Sequence, residues 1–222
     1  MISSLSILKD VHKNKRFWIC GSGPSLVDVN PKLIPKEDIV ICCNSSTFHF
    51  QNFNYGIFTD EMANYSEWYL NLDKKECDII LCNSRIKKIK DNTLIFEKID
   101  SWLFDNEDKV ICGYDIIHCS THIAYVMGAC EIILVGVDLK HKSPTEKYPY
   151  EQGLIDSTPI HLRKIVEESS LANNTLTDTH LSRSLAGWGE IVKNNKNLNI
   201  IDISLTGNLN FFKKHKFEDL IK

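Results

Sequence analysis

The 222-residue sequence predicts a single-domain α/β fold, a Rossmann-like doubly wound and mostly parallel sheet spanning residues 1–222. Three observations predict it. Runs of about five apolar, largely β-branched residues recur without polar alternation, as parallel strands covered on both faces do. Longer amphipathic segments separate the runs and leave room for crossover helices. Most runs stop at Gly, Asn, Ser or Asp, residues that turn the chain at the end of a strand.

In chain order, Arg16–Cys20 is the first strand and Gly21-Ser22-Gly23-Pro24-Ser25 breaks it at once. Asp38–Cys42 is the second and runs into Cys43-Asn44; Tyr55–Thr59 is the third and meets Asp60. Tyr65, Trp68 and Tyr69 space Glu61–Leu72 as a helix packed on the sheet. Asp78–Cys82 ends at Asn83-Ser84, and Thr93–Phe96 is a shorter run suited to an edge. Asp115–Met127 places Ile116, Ile123, Val126 and Met127 on one helical face, and Gly128 stops it. Glu131–Val135 is the most uniformly apolar strand and ends at Gly136-Val137-Asp138. Pro159–Leu171 and Leu181–Lys193 fit helices, Trp188 in the second reading as packing, and Asn199–Ile203 closes the set. The stretch His141–Asp156 carries Pro144, Pro149 and Gly153 and reads as part of a lid or subdomain at about 140–178.

Composition narrows the class. Lys plus Arg number 26 against 29 Asp plus Glu, a net charge of −3, which argues against gripping nucleic acid by bulk electrostatics. No apolar run reaches the roughly 18 residues of a membrane span, and the N-terminal charges follow rather than precede the apolar stretch, the reverse of a secretion signal. Eight cysteines without a C-x-x-C pair, several of them in or beside apolar runs, read as free thiols in a reducing, cytoplasmic setting. Lys87-Lys88-x-Lys90 reads as a solvated face, whereas Lys213–Lys216 could meet a membrane surface or an anionic acceptor. His118 and His122, four apart, could suggest a metal pair, but without H-E-x-x-H in an apolar helix they read as satisfied core or rim histidines.

The strand ends carry the functional signal. Turn chemistry explains any one of them, but five together at the carboxyl edge make a surface for a polar, partly anionic ligand such as a nucleotide. Gly21 and Gly23 would let backbone approach a phosphate, with helix-start N–H groups facing the anion. Leu26 stands where G-x-G-x-x-G needs its third glycine, Pro24 removes a donor, and no G-K-[ST] follows, so neither a dehydrogenase nor a P-loop is indicated.

The stretches Ile19–Leu26, Ile41–Asn44 and Gly128–Asp138 resemble the bacterial sialyltransferases of glycosyltransferase family 42, and also the wider motility-accessory-factor-like group, over about Phe17 to Leu209. The resemblance implies a GT-A-variant fold and a metal-independent glycosyltransferase without a cofactor. It would take a sialic-acid-like sugar from a cytidine-monophosphate donor to a glycan or other hydroxyl-bearing acceptor, a nucleic acid not being excluded. Donor contacts would fall to Gly21, Ser22, Gly23, Ser25, Asn44, Thr59, Asp60, Asp115, Gly136 and Asp138. His180 stands where the family has its general base, and a histidine can take a proton from a hydroxyl near neutral pH.

The family's lid tyrosines stabilise the leaving phosphate; here Lys140 and His141 occupy the first position, with Tyr148 and Tyr150 near the second. Gly113-Tyr114-Asp115 stands where the family has a small Ser/Thr pair. The family also implies a homo-oligomer. Two alternatives stay open: a pterin pyrophosphokinase using ATP, with Mg²⁺ held by Asp60 and Asp138, and a nucleotide-binding module without catalysis.

Overall fold

The chain is described from a computed structural model, covering residues 2–83, 85–111, 113–139 and 181–221. Its strands are β1 Arg16–Cys20, β2 Ile39–Cys43, β3 Tyr55–Phe58, β4 Asp78–Leu81, β5 Thr93–Ile95, β6 Lys98–Ile99, β7 Val110–Ile111, β8 Glu131–Val135, β9 Ile200–Asp202 and β10 Lys213–Lys214. Its helices are α1 Glu67–Leu70, α2 Ile116–Val126, α3 over residues 181–194 and α4 Phe217–Leu220.

Eight strands form one sheet in the order β10-β9-β8-β1-β2-β3-β4-β5, every neighbouring pair parallel. The doubly wound α/β reading is therefore correct. The chain winds outward from β1 to β5, returns to lay β8 on the other side of β1, and winds away through β9 to β10.

Alternation along each strand divides the core in two. Phe17, Ile19, Ile41, Ile57, Ile132 and Leu134 face the side covered by α2 and α3, where Ile117, Ile123, Trp188 and Ile191 are buried. Trp18, Cys20, Val40, Cys42, Ile133 and Val135 face the other side. That second side differs from the expectation of crossover helices. The β1–β2 connection is made of 3-10 turns, Pro24–Asp28 and Pro31–Leu33, and the expected helix over Glu61–Leu72 is split into a 3-10 turn, the single-turn α1 and another 3-10 turn. Prolines at the starts of the first two turns and Ser66 at the break shorten the helical runs. Trp68 stacks on Phe58 at 5.6 Å beneath these turns, and Lys75 Nζ donates to the Thr47 and Phe50 carbonyls, tying the end of the last turn to the segment after β2.

Polar side chains set register at the sheet margins. Asp38, nearly buried, accepts from Arg16 Nε and Nη2 at 2.7 Å each and from Trp18 Nε1 at 2.8 Å, tying the start of β1 to the start of β2. At the far edge, Lys214 Nζ meets Asp202 Oδ2 at 2.6 Å and also donates to the Ser204 carbonyl at 2.7 Å. The basic run 213–216 is therefore in part an interior feature, because Lys214 neutralises a fully buried carboxylate. Lys90 likewise leaves the solvated face expected of it: it pairs with Asp73 at 2.6 Å and lies over the Tyr69 ring, while Lys87 and Lys88 are exposed. The small β6–β7 sheet and β10 went unforeseen, since two-residue strands carry no periodicity.

Cys20, Cys42, Cys43, Cys82 and Cys119 are buried and free, and burial pushes the Cys82 thiol up to about 12. Among the described residues no helix is long and apolar enough to cross a membrane.

The two α2 histidines are core residues. His118 Nδ1 accepts the Tyr114 N–H and His122 Nδ1 accepts the Ile111 N–H, each at 3.1 Å, so each ring is used by the backbone. Burial lowers the His122 pKa to about 4. Because the folded value lies below the ordinary 6.5, the neutral ring contributes stability in full above pH 6.5 and loses it as pH falls towards 4. The contribution is about 3 kcal/mol. His122→Asn, which keeps an acceptor for Ile111 and removes the titration, should flatten the acid limb of stability against pH in urea unfolding.

Candidate functional site

β1 and β8 are neighbours although the chain leaves them in opposite directions, so the crevice of a doubly wound sheet opens at their carboxyl ends. There the two loops touch through backbone. Gly21 N–H donates to the Val135 carbonyl and Gly23 N–H to the Gly136 carbonyl, both at 2.7 Å, prolonging the β1–β8 ladder beyond the strands. No side chain fits between them. A Cβ on Gly21 would stand 2.7 Å from Gly136 O, and one on Gly23 would stand 2.6 Å from the same oxygen and 2.2 Å from Asp138 Oδ2. Gly136 itself is left-handed at φ 62°.

Asp138 completes this junction. Its Oδ2 accepts the Ser25 N–H at 3.0 Å and the Ser25 hydroxyl at 2.9 Å, capping the turn that opens at Pro24. Ser25 and Ser204 hydroxyls lie 2.9 Å apart, Ser204 Oγ accepts the Val137 N–H at 3.3 Å, and Ser204 N–H donates to Asp202 Oδ1 at 2.8 Å. A continuous polar chain thus runs from β1 through Asp138, Ser25, Ser204 and Asp202 to Lys214. Burial raises the Asp202 pKa while Lys214 and Ser204 oppose that rise. The amides of Gly21, Gly23 and Ser25, expected to face an anion, are taken by this junction.

The end of β2 supplies the third wall. Asn44 adopts a left-handed φ of 50°, which asparagine tolerates. Ser46 Oγ, buried, accepts the Cys43 N–H at 2.8 Å and donates to the Cys20 carbonyl at 2.7 Å, so the turn is bound to β1. Ser45 Oγ donates to Ser22 Oγ at 2.8 Å. Asn44 Oδ1 is buried with no hydrogen-bond partner among the described residues, an arrangement that costs free energy unless a donor arrives. The first turn of α2 closes the floor: Ile117 Cδ1 lies 3.3 Å from where a Gly21 Cβ would be, and Ser120 Oγ lies 3.2 Å from Cys43 Sγ.

The structure therefore brings together Gly21, Ser22, Gly23, Ser25, Asn44, Gly136 and Asp138, with Asp115 at the N-cap of α2 close by. Asp115 Oδ1 accepts the His118 N–H at 2.9 Å, and Asp115 also bonds the Ser184 hydroxyl on α3. Thr59 and Asp60 lie one strand further out. The Thr59 carbonyl accepts from Asn83, and Asp60 Oδ1 caps the turn Glu61–Tyr65 through the Met62 N–H at 2.9 Å. Asp60, Asp115 and Asp138 thus each cap a helical turn. Lys140, His141, Tyr148, Tyr150 and His180, the lid at 140–178, Pro159–Leu171 and Ser84 lie outside the described residues. Sequence reasoning missed Ser204 as a site-builder; it follows a strand end, where a lone serine looks like any turn residue.

A family model described as "6-hydroxymethylpterin diphosphokinase MptE-like" matches residues 1–143. The chain belongs to this MptE-like family. No curated protein matches it in sequence. Among solved structures, the sialyltransferase CST-II, crystallised with trisaccharide acceptor and CMP, aligns at TM-score 0.51 and 13% identity over 90% of this chain and 86% of that one. The monofunctional α-2,3-sialyltransferase Cst-I from Campylobacter jejuni aligns at 0.53 and 16%, over 90% and 79%. The MAf glycosyltransferase from Magnetospirillum magneticum AMB-1 aligns at 0.56 and 14%, over 96% of this chain and 37% of that larger one. These likenesses are of fold, which agrees with the Rossmann-like sheet described above.

Gly23→Ala should cost about 1–3 kcal/mol in urea unfolding, because the methyl group must displace either Asp138 or the Gly136 carbonyl.

Proposed function

We propose that the crevice between β1, β2 and β8 binds the nucleotide of an activated sugar, and that the protein is a glycosyltransferase taking a cytidine-monophosphate-type donor. The observation that carries the reading is Asn44 Oδ1, buried and without a hydrogen-bond partner among the described residues, beside Ser22 and Ser45 at the switch point. An amide oxygen in that setting calls for an N–H or O–H donor, which the exocyclic amine of cytosine or a ribose hydroxyl supplies. The CMP-bound and acceptor-bound sialyltransferases that share the fold support the same choice.

In the proposed reaction an acceptor hydroxyl oxygen attacks the anomeric carbon of the sugar as the bond from that carbon to the phosphate oxygen breaks. His180 takes the hydroxyl proton, and the nucleotide leaves with the electron pair. Lys140, with Tyr148 or Tyr150, donates hydrogen bonds to the departing phosphate. These four assignments rest on sequence position alone. Ser22 and Asn44 would orient the donor, and the backbone junction of Gly21, Gly23, Gly136 and Asp138 would hold the crevice walls in place without touching the reacting atoms.

The family name favours a second reading, diphosphate transfer from ATP to a pterin with Mg²⁺. The described carboxylates do not fit an ion site. Asp138 Oδ2 accepts two hydrogen bonds from Ser25, Asp115 bonds His118 and Ser184, and Asp60 caps its own turn one strand away. A cation on Asp138 Oδ2 would compete with both bonds from Ser25, and among the described residues no group of three or more His, Cys, Asp or Glu could hold a metal ion.

A thermal-shift comparison separates the two. CMP or a CMP-sugar at a hundredfold excess over Kd should add about 2.7 kcal/mol of stability, and ATP with Mg²⁺ none; the opposite pattern sinks the glycosyltransferase reading. Asn44→Ala should weaken CMP about tenfold, the worth of one well-made hydrogen bond. His180→Ala should bind the donor normally and lose transfer; a folded, active variant would remove the base assignment.

A further inference from the structure

We propose that Trp102 and Tyr114 form a stacking ledge for a pyranose ring of the acceptor, so that the acceptor is a saccharide. The inference rests on the glycosyltransferase reading for the word acceptor, but the ledge itself is argued from geometry.

Tyr114 stands one residue before the α2 N-cap Asp115, at the carboxyl edge of the sheet, and Ile117 in the next turn packs on Gly21. The ledge therefore stands at the N-terminus of α2, the helix whose first turn packs on the switch-point crevice. Tyr114 is 50% exposed, a large aromatic surface to leave in water. Its ring lies 5.1 Å from that of the half-buried Trp102, tilted by 57°.

The Trp102 ring is held from behind. Asn195 on the far side donates from Nδ2 to the Trp102 carbonyl at 2.7 Å and accepts the Phe104 N–H at 2.8 Å, clamping the 102–104 backbone. Trp102 meets His118 edge-on at 5.8 Å, and His118 in turn meets Trp188 at 4.8 Å. Gly187 makes room: a Cβ there would lie 3.0 Å from the Trp102 ring. Left-handed Gly113 turns the chain so that the Tyr114 N–H reaches His118 Nδ1 at 3.1 Å. The ordering entropy of the Trp102 ring and of the Tyr114 backbone is thus already spent in the free protein, which favours binding.

Ring tilt selects the ligand. Two faces at 57° leave no parallel slot for a flat base. A puckered pyranose can set the polarised C–H bonds of one face on the electron-rich rings and keep its hydroxyls in water.

Saturation-transfer NMR with methyl β-galactoside, lactose and N-acetylglucosamine tests this, with CMP titrated separately. At least one saccharide should receive saturation through ring C–H protons on a single face. Its Kd should rise about tenfold in Tyr114→Ala and stay within about twofold in Tyr114→Phe, which keeps the ring. CMP affinity should be unchanged in both. Wild-type binding of none of the three, or unchanged saccharide affinity in a folded Tyr114→Ala, overturns the ledge. Tyr114-dependent saccharide binding in a protein that ignores CMP would keep the ledge and overturn the donor reading instead. Normal CMP binding with Tyr114-independent saccharide affinity would do the reverse.

Discussion

The structure depends on a contact between two stretches of backbone that no side chain may enter. Gly21 and Gly23 lie against Gly136, so the β1–β8 ladder continues for two further hydrogen bonds past the strand ends. Winding order places the crevice here, but the glycines determine its shape. Had either loop carried ordinary side chains, the strand ends would splay, Asp138 would lose Ser25, and the Ser22–Ser45 contact would move with them.

Around that contact, charge is spent on geometry. Three aspartates at strand ends serve as caps, placing a carboxylate where unpaired N–H groups and the positive end of a helical turn would otherwise face nothing. Asp202 and Lys214 carry the same logic to the sheet's far edge. A buried pair of this kind adds little net stability over an apolar pair, but it accepts one arrangement only. The hydrogen-bonded chain from Lys214 to Ser25 transmits that arrangement back to the crevice.

The sheet was legible because its strands are long enough to show uninterrupted apolar character, and all seven proposed strands begin and end within one residue of the observed bounds. The fine structure of the second face was not. Turns such as Pro24–Asp28 lack a helical repeat and are stabilised by tertiary partners, Asp138 among them, that lie far off in sequence. In the site, the converging turns were readable as a set, since Gly, Asn and Asp end strands for recognisable reasons. Their division of labour was not. Nothing local tells that Ser25 is bound to Asp138, or that Asn44 Oδ1 is buried without a partner among the described residues while Asp115 is bonded. Tyr114 and Trp102 gave no periodic signal, being adjacent only through the fold.

The junction of β1 and β8 also bears on biosynthesis. Ser25 and Asp138 are 113 positions apart, and β1 pairs in parallel with a strand translated equally late. Until β8 emerges from the ribosome, one flank of β1 offers bare amides and carbonyls beside Phe17, Trp18 and Ile19, a template on which another nascent chain could register. Parallel closure over so long a separation is slow. The finished protein hides this strand at its centre, whereas the half-made one leaves that flank open until β8 arrives.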